Sequence, residues 1–321
     1  ARLRPEGSAD RIQERGLRYV LGDDDADAPQ RDLFDVHVPA SSGGSAGMSG
    51  ALISRFLRFP ESLWQQRELF WRLTEREVLG RYRGSALGIG WSLATPLAML
   101  TVYTFVFSQV FKSRWGVGEQ AGPLGFAVNL FAGLIVFTLF SECVGRAPTL
   151  VTSNPNYVKK VVFPLEVLGS VAVGCAFFHA LTSLVILMIF ELIAFRGLPI
   201  TLVWLPLVWL PLLLGSLAFT WLLSAVGVFL RDLGQLVSVA LSMLMFLSPI
   251  FFPTSALPDH WQTLLGLNPI AHVIEQTRRV SVQGLNPQPS YIILGILISS
   301  VACELALRLF KRLERAFADV L

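Results

Sequence analysis

Six apolar runs, each of about the twenty residues that a helix needs to cross the hydrocarbon of a bilayer, fill most of the chain after residue 86. They lie near Leu87 to Phe111, Leu124 to Val144, Leu165 to Phe195, Ile200 to Leu230, Leu233 to Phe252 and Tyr291 to Phe310. A soluble domain cannot hide so much apolar sequence in one core; of the 321 residues, 53% are hydrophobic and only 15% charged. In lipid every backbone N–H and C=O must be satisfied within the segment, so the reading is an all-α integral membrane protein with six transmembrane helices. The third and fourth runs are overlong, and Pro206 and Pro211 predict that the fourth begins outside the hydrocarbon or is kinked.

The charges between the runs decide orientation. An even number of crossings puts both ends on one side. Arg67, Arg72, Arg76, Arg81, Arg83, Arg146, Lys159, Lys160, Arg231, Arg308, Lys311, Arg312 and Arg315 fall on one set of segments. Only Lys112, Arg114, Arg196, Arg278 and Arg279 fall on the other. Short loops rich in Lys and Arg tend not to be translocated, so the richer side, with both termini, is read as cytoplasmic. Between the second and third runs, Asn154-Pro-Asn-Tyr-Val-Lys-Lys-Val-Val-Phe-Pro is a basic island that must protrude there. It is a candidate surface for a soluble partner to push on; the competing reading is that Lys159 and Lys160 only anchor the topology.

The parts outside the spans differ in kind. Residues 1–47 are charged, carry the acidic run Asp23 to Asp27 and end in the linker-like Ser41 to Gly47, so they are read as a disordered cytoplasmic tail. No apolar stretch follows the early arginines as a secretory signal would need, and Met48 is a candidate start of the functional domain. Residues 48–86 hold an amphipathic interface helix. From Ser62 to Arg83, Leu63, Trp64, Phe70, Trp71, Leu73, Val78 and Leu79 recur near helical spacing among arginines, the pattern of a helix lying at the headgroups. The six spans occupy residues 87–310, and 311–321 are a cytoplasmic C-terminal tail. Before the last span, Ala256 to Leu267 and Ile270 to Val282 flank the turn Asn268-Pro269 and predict two short helices that dip back into the membrane as a re-entrant hairpin. A simple surface loop would expose Trp261 and Leu265 to water.

Chemistry is sparse. No Gly-x-x-x-x-Gly-Lys-Ser/Thr phosphate loop and no His-Glu-x-x-His occurs, so ATP has no usual site in this chain. Cys143, Cys175 and Cys303 fall in or beside apolar runs without metal-site spacing and read as small hydrophobes. The net charge of +3 is small and its basic residues sit beside apolar runs, a lipid-headgroup and topology signal, not a nucleic-acid footprint. His179, Glu191 and Glu304 lie within spans; each is a functional candidate, and each is equally satisfied as a neutral, hydrogen-bonded helix contact. Met99, Tyr103, Phe107 and Phe111 repeat every four residues and share one helical face. Such a stripe suits the apolar faces of sugar rings sliding past, or packing against other helices or lipid, and Phe246 and Phe251 carry the same two readings.

Three stretches together resemble the permease subunits of ABC exporters for polysaccharides, the O-antigen, capsule and teichoic-acid class. Arg67-Glu-Leu-Phe-Trp-Arg-Leu-Thr through Arg81-Tyr-Arg-Gly-Ser-Ala-Leu-Gly is similar to that family's interface helix and first-span entry. The island from Asn154 is similar to its first cytoplasmic coupling loop. Phe229-Leu-Arg-Asp-Leu-Gly-Gln-Leu with Leu247-Ser-Pro-Ile-Phe-Phe-Pro is similar to its second coupling segment and fifth span. The resemblance implies a transport subunit without enzymatic activity in the bacterial inner membrane. It implies a homodimer, two copies of an ABC ATPase that alone binds ATP and Mg²⁺, and a polyprenyl-linked polysaccharide substrate. Asn154, Tyr157, Lys159, Lys160, Arg231 and Asp232 would then meet the ATPase, and Arg72, Arg76, Arg81 and Arg83 would hold a carrier pyrophosphate or simply anchor the helix in lipid. Met99, Tyr103, Phe107, Phe111, Phe246 and Phe251 would line the channel. The rivals are an ABC permease for a drug or small lipid, a polytopic membrane glycosyltransferase, and a secondary carrier, for which the expected inverted repeat is not seen.

Overall fold

The computed structural model describes residues 59–106, 123–159, 163–254 and 257–320, and among these the chain is helical, without a strand. Helices α1 (Phe59–Gln65) and α2 (Arg67–Tyr82) precede α3 (Trp91–Phe105) and α4 (Pro123–Arg146). The short α5 (Pro155–Lys159) leads to α6 (Glu166–Phe195), α7 (Leu205–Gly227) and α8 (Leu233–Phe246). Then come α9 (Asp259–Leu265), α10 (Pro269–Ser281), α11 (Pro289–Glu314) and α12 (Phe317–Val320).

Among the described residues four helices are long and apolar enough to cross a membrane: α4, α6, α7 with the 3₁₀ turn before it, and α11. Their environments differ. Within the bundle, 83% of the apolar stretch of α4 is buried, against 28% for α6, 39% for α7 and 33% for α11, so α4 is the helix the others surround. Its sequence is apolar on every face, as a central helix requires. The fifth apolar run is helical for only 14 residues. Pro249 lacks an N–H and disfavours helix at Ser248, so α8 stops at Phe246 and the chain turns. Pro206 sits in the first turn of α7, where its missing N–H costs nothing, and the fourth run therefore opens as the 3₁₀ turn Ile200–Trp204. Pro211 lies inside α7, which continues through it to Gly227.

The hairpin segment forms the two expected helices, α9 and α10. Asn268 caps the second, its side chain accepting from Ile270 N at 3.0 Å. Arg278, which the sequence places among the charges of the external segments, is only 1% exposed. Its Nε donates to Asn129 O at 2.9 Å, and its Nη1 and Nη2 donate to Pro249 O at 2.6 Å and Ile250 O at 2.9 Å. The break after α8 frees those last two carbonyls from helical bonding, and a planar fork of donors meets them better than water excluded from the bundle could. Gly133 makes room: a Cβ there would lie 2.8 Å from Nη2.

The opposite case is Glu191 on α6. It is fully buried, and neither carboxyl oxygen has a hydrogen-bond partner among the described residues. The Ser281 hydroxyl beside it donates to Thr277 O, at 2.9 Å. Leaving a buried polar group unpaired costs about 1–3 kcal/mol. Glu191→Leu will therefore raise the Tm of the solubilised protein by roughly a few degrees, whereas Glu191→Gln, equally unpaired, will not. A lower Tm for the leucine variant in a thermal unfolding scan would show the carboxyl to be engaged.

Candidate functional site

One end of the bundle gathers the end of α4, all of α5, the start of α6, the end of α7 and the end of α11. The anchors are specific. Trp221 Nε1 donates to Glu166 O at 2.8 Å, and Lys311 Nζ lies 3.0 Å from Glu166 Oε1. Gly227 packs directly on the backbone of Pro148. Helix α1 is stapled to the same end: Ser62 Oγ and Gln66 Nε2 donate to Glu166 Oε1 at 3.3 and 3.1 Å, and Phe59 N donates to Glu304 Oε2 at 3.2 Å. Glu304 also accepts from Arg308 Nε at 2.6 Å, so it ties the start of α1 to α11.

Helix α2 lies along α6. Phe70 and Thr74 pack over Gly174, where a Cβ would come within 2.9 Å of Phe70 Cζ, and Val78 packs with Val167, Val171 and Cys175. The stripe of half-buried Phe70 and buried Thr74 and Val78 follows helical spacing. Trp71 and Leu79, read from the sequence as part of the apolar face, fall beside it and are exposed among the arginines.

The polar side of α2 forms a seam against α4, α5 and α6. Arg76 Nη2 donates to Tyr157 Oη at 3.1 Å, and Glu77 pairs with Arg146. Arg81 Nη1 donates to Glu142 Oε1 at 2.7 Å. His179 Nδ1 lies 3.0 Å from Glu142 Oε2, and the Tyr82 hydroxyl lies 3.1 Å from His179 Nε2. Glu142 and Arg146 are one turn apart on α4, which puts both on the face that α2 crosses. His179 Nδ1 also lies 3.2 Å from Arg81 Nη1, so Nδ1 sits between a carboxylate it can donate to and a guanidinium it can accept from, and its tautomer sets which way the Tyr82 bond at Nε2 runs. Burial raises the Tyr82 phenol above its ordinary value, with Arg81 pulling the other way. Arg81 is partly open to solvent, so its pair with Glu142 contributes at most about 1 kcal/mol, and the seam holds position more than it adds stability.

The sequence-predicted residues sort as follows. Asn154 donates from Nδ2 to Leu150 O at 2.9 Å just before α5, and Tyr157 stacks on Phe163 with ring centres 4.5 Å apart. Lys159 is the last residue of α5, while Lys160 lies outside the described residues. Arg231 and Asp232 are exposed at the turn into α8. All four candidate headgroup arginines are exposed, but Arg76 and Arg81 are engaged by the seam. Met99 is 52% and Phe246 72% exposed, Tyr103 packs half-buried on the core, and Phe246 stacks on Phe251 at 6.0 Å. Phe107 and Phe111 lie outside the described residues, as does the 1–47 tail. Sequence reading passed over Glu142, Glu77 and Glu166; Glu142, a lone acid just inside the end of the second apolar run, carried the legible signal. The three cysteines are free and buried, and no metal-binding group occurs among the described residues.

The chain belongs to the ABC-2 type transporter family, whose pattern matches residues 68–281. It is therefore a multi-pass membrane transport subunit and not an enzyme. It is 28% identical over 265 residues to the O-antigen export system permease protein RfbA of Myxococcus xanthus, covering 82% of this chain and 99% of that protein. A Klebsiella pneumoniae protein of the same name is 24% identical, covering 78% and 93% of the two chains. The polysialic acid transport protein KpsM of Escherichia coli is 25% identical, covering 73% and 87%.

Proposed function

We propose that this chain is the transmembrane subunit of an ATP-driven exporter that moves a lipid-linked polysaccharide from the cytoplasmic side across the bacterial inner membrane. The observation that carries the reading is the seam. A push on α5 reaches α2 through Tyr157 and Arg76, and a shift at the end of α4 reaches it through Arg146 and Glu77. The names of the relatives supply the class of cargo, O-antigen and polysialic acid. Permeases of this family pair with ATPase partners, and ATP and Mg²⁺ belong to that partner.

In this reading the seam end faces the cytoplasm with both termini, and α2 lies at the headgroups. The described α3 and α8 are parts of a first and a fifth span, giving six, and α9 and α10 dip back into the membrane. Two copies form the channel over two ATPase subunits, and the exposed Met99 and Phe246 face the second copy or the polymer. Arg72 and Arg83 are the first contacts for a carrier pyrophosphate, since Arg76 and Arg81 must leave Tyr157 and Glu142 to join them.

Inside-out vesicles holding the chain and its co-purifying ATPase will take up polyprenyl-diphosphate-linked glycan only with ATP. Uptake by the chain alone overturns the reading, and uptake of a small lipid but not the glycan favours the drug or small-lipid permease. Lys159→Glu with Lys160→Glu will leave insertion in place and lower export per ATP hydrolysed at least tenfold, since the charge of the basic island is reversed where a partner would push. Unchanged surface polysaccharide on gels of whole-cell extracts would remove Lys159 and Lys160 from the coupling surface.

A further inference from the structure

Residues 311–321 read as a polar tail, yet α11 runs on to Glu314 and, while Lys311, Arg312 and Arg315 stay exposed, Phe317 beyond it is buried. Ala316 N donates to Leu313 O at 2.9 Å and turns the chain back, and α12 then lies against α5. Phe317 is 0% exposed. Its ring meets Phe310 edge-on at 5.6 Å and Phe229 at 6.1 Å. Phe229 is the residue from which the chain enters the Arg231-Asp232 turn, and α5 is the helix of the Asn154 island. The segments leading into these two turns already touch where Gly227 at the end of α7 meets Pro148 after α4, a contact so close that a Cβ on residue 227 would lie 2.1 Å from Pro148 O.

We infer that the C-terminal segment, keyed by Phe317, is a strut that makes the two partner-facing turns of this subunit move as one rigid piece, so that force applied at either is delivered to both. The inference rests on the proposed ATP-driven reading for its purpose, but not for its mechanical content. The close approach of Gly227 to Pro148 is one backbone junction near the two turns. Phe317 adds a separate contact that buries an aromatic side chain against Phe229 and α11, and it stiffens that junction, because a close-packed core shifts as a unit. Phe317 is thus a positioning residue: it touches no substrate and acts through α5 and Phe229.

Two measurements separate the strut from the function it serves. Spin labels at Ser153→Cys and Gln235→Cys, both exposed, report the distance between the turns in the chain alone in lipid nanodiscs; the native cysteines are buried. The distribution will be narrow in the parent and at least twice as wide in Phe317→Ala, and Phe317→Leu, which refills the site, will restore most of the narrowing. Equal widths in all three overturn the strut. In the complex with its ATPase, Phe317→Ala will keep partner binding and ATP hydrolysis within twofold while surface polysaccharide falls at least fivefold. Export falling only in proportion to hydrolysis overturns the positioning role. A parent complex in which ATP changes neither distance nor export instead rejects the proposed function, and the nanodisc widths still decide the strut.

Discussion

Arg278→Ala will lower the stability of this protein by about 3–5 kcal/mol, a fall in Tm on the order of 10 °C. The guanidinium satisfies Asn129 O on α4 and the Pro249 and Ile250 carbonyls in the break after α8, all inside the bundle. Alanine removes the donors and leaves the two freed carbonyls facing a cavity, at about 1–3 kcal/mol each. Glu275 adds little, since its carboxylate is 3.8 Å from Nη1. The carbonyl dipoles, more than a counter-charge, hold the cation. Arg278→Lys will recover only part of the loss, because a point ammonium cannot reach three acceptors on separate elements as a planar fork does. Arg279→Ala, losing the bond from Nε to Asn286 O at the surface, will cost under about 1 kcal/mol. Thermal unfolding of the three purified variants ranks them, and a parent-like Tm for Arg278→Ala would show the brace to be dispensable.

The second large effect belongs to a glycine. In Gly227→Ala the new Cβ would sit 2.1 Å from Pro148 O and 2.8 Å from Pro148 C and Cα, and all three are backbone atoms of a turn that proline stiffens. No side chain can swing aside, so the end of α7 must separate from the turn after α4. The cost will be about 3 kcal/mol, the upper end of ordinary overpacking. Gly215→Ala in the same helix is the control, since nothing lies within 4 Å of its added methyl. It will raise stability by about 0.5–1 kcal/mol through helix propensity alone. Opposite signs for one substitution on one helix are checked by comparing the two Tm values; a shared sign would refute the close approach. Loss of the Gly227 contact will also widen the distance between the two turns that Phe317 keys together.

Much of the fold was legible along the chain, and for local reasons. Residues 124–144 and 165–195 had to be helical because a long apolar segment in lipid has no other way to satisfy its backbone. Asn268-Pro269 announced the start of α10, and Pro249 explains in hindsight why a run that looked long enough to cross stops as a helix at Phe246. The candidate site was legible only in part. Tyr157, Arg76 and Arg81 were picked out, but not that Arg76 meets Tyr157 or that Arg81 meets Glu142, and Arg278 entered only the loop-charge count, which takes no account of burial. The C-terminal residues read as a tail because one phenylalanine among charges makes no periodic signal.

By itself the sequence determined that this protein is helical and membrane-embedded, because hydropathy acts over neighbouring residues. Only the tertiary structure decided which charges are buried and what they hold. Arg278 and Asn129 stand 149 positions apart, and Arg76 and Tyr157 stand 81 apart. A guanidinium is a topology signal in water and a brace among freed carbonyls; the packing of α10 against α4 and α7 selects between the two by excluding water.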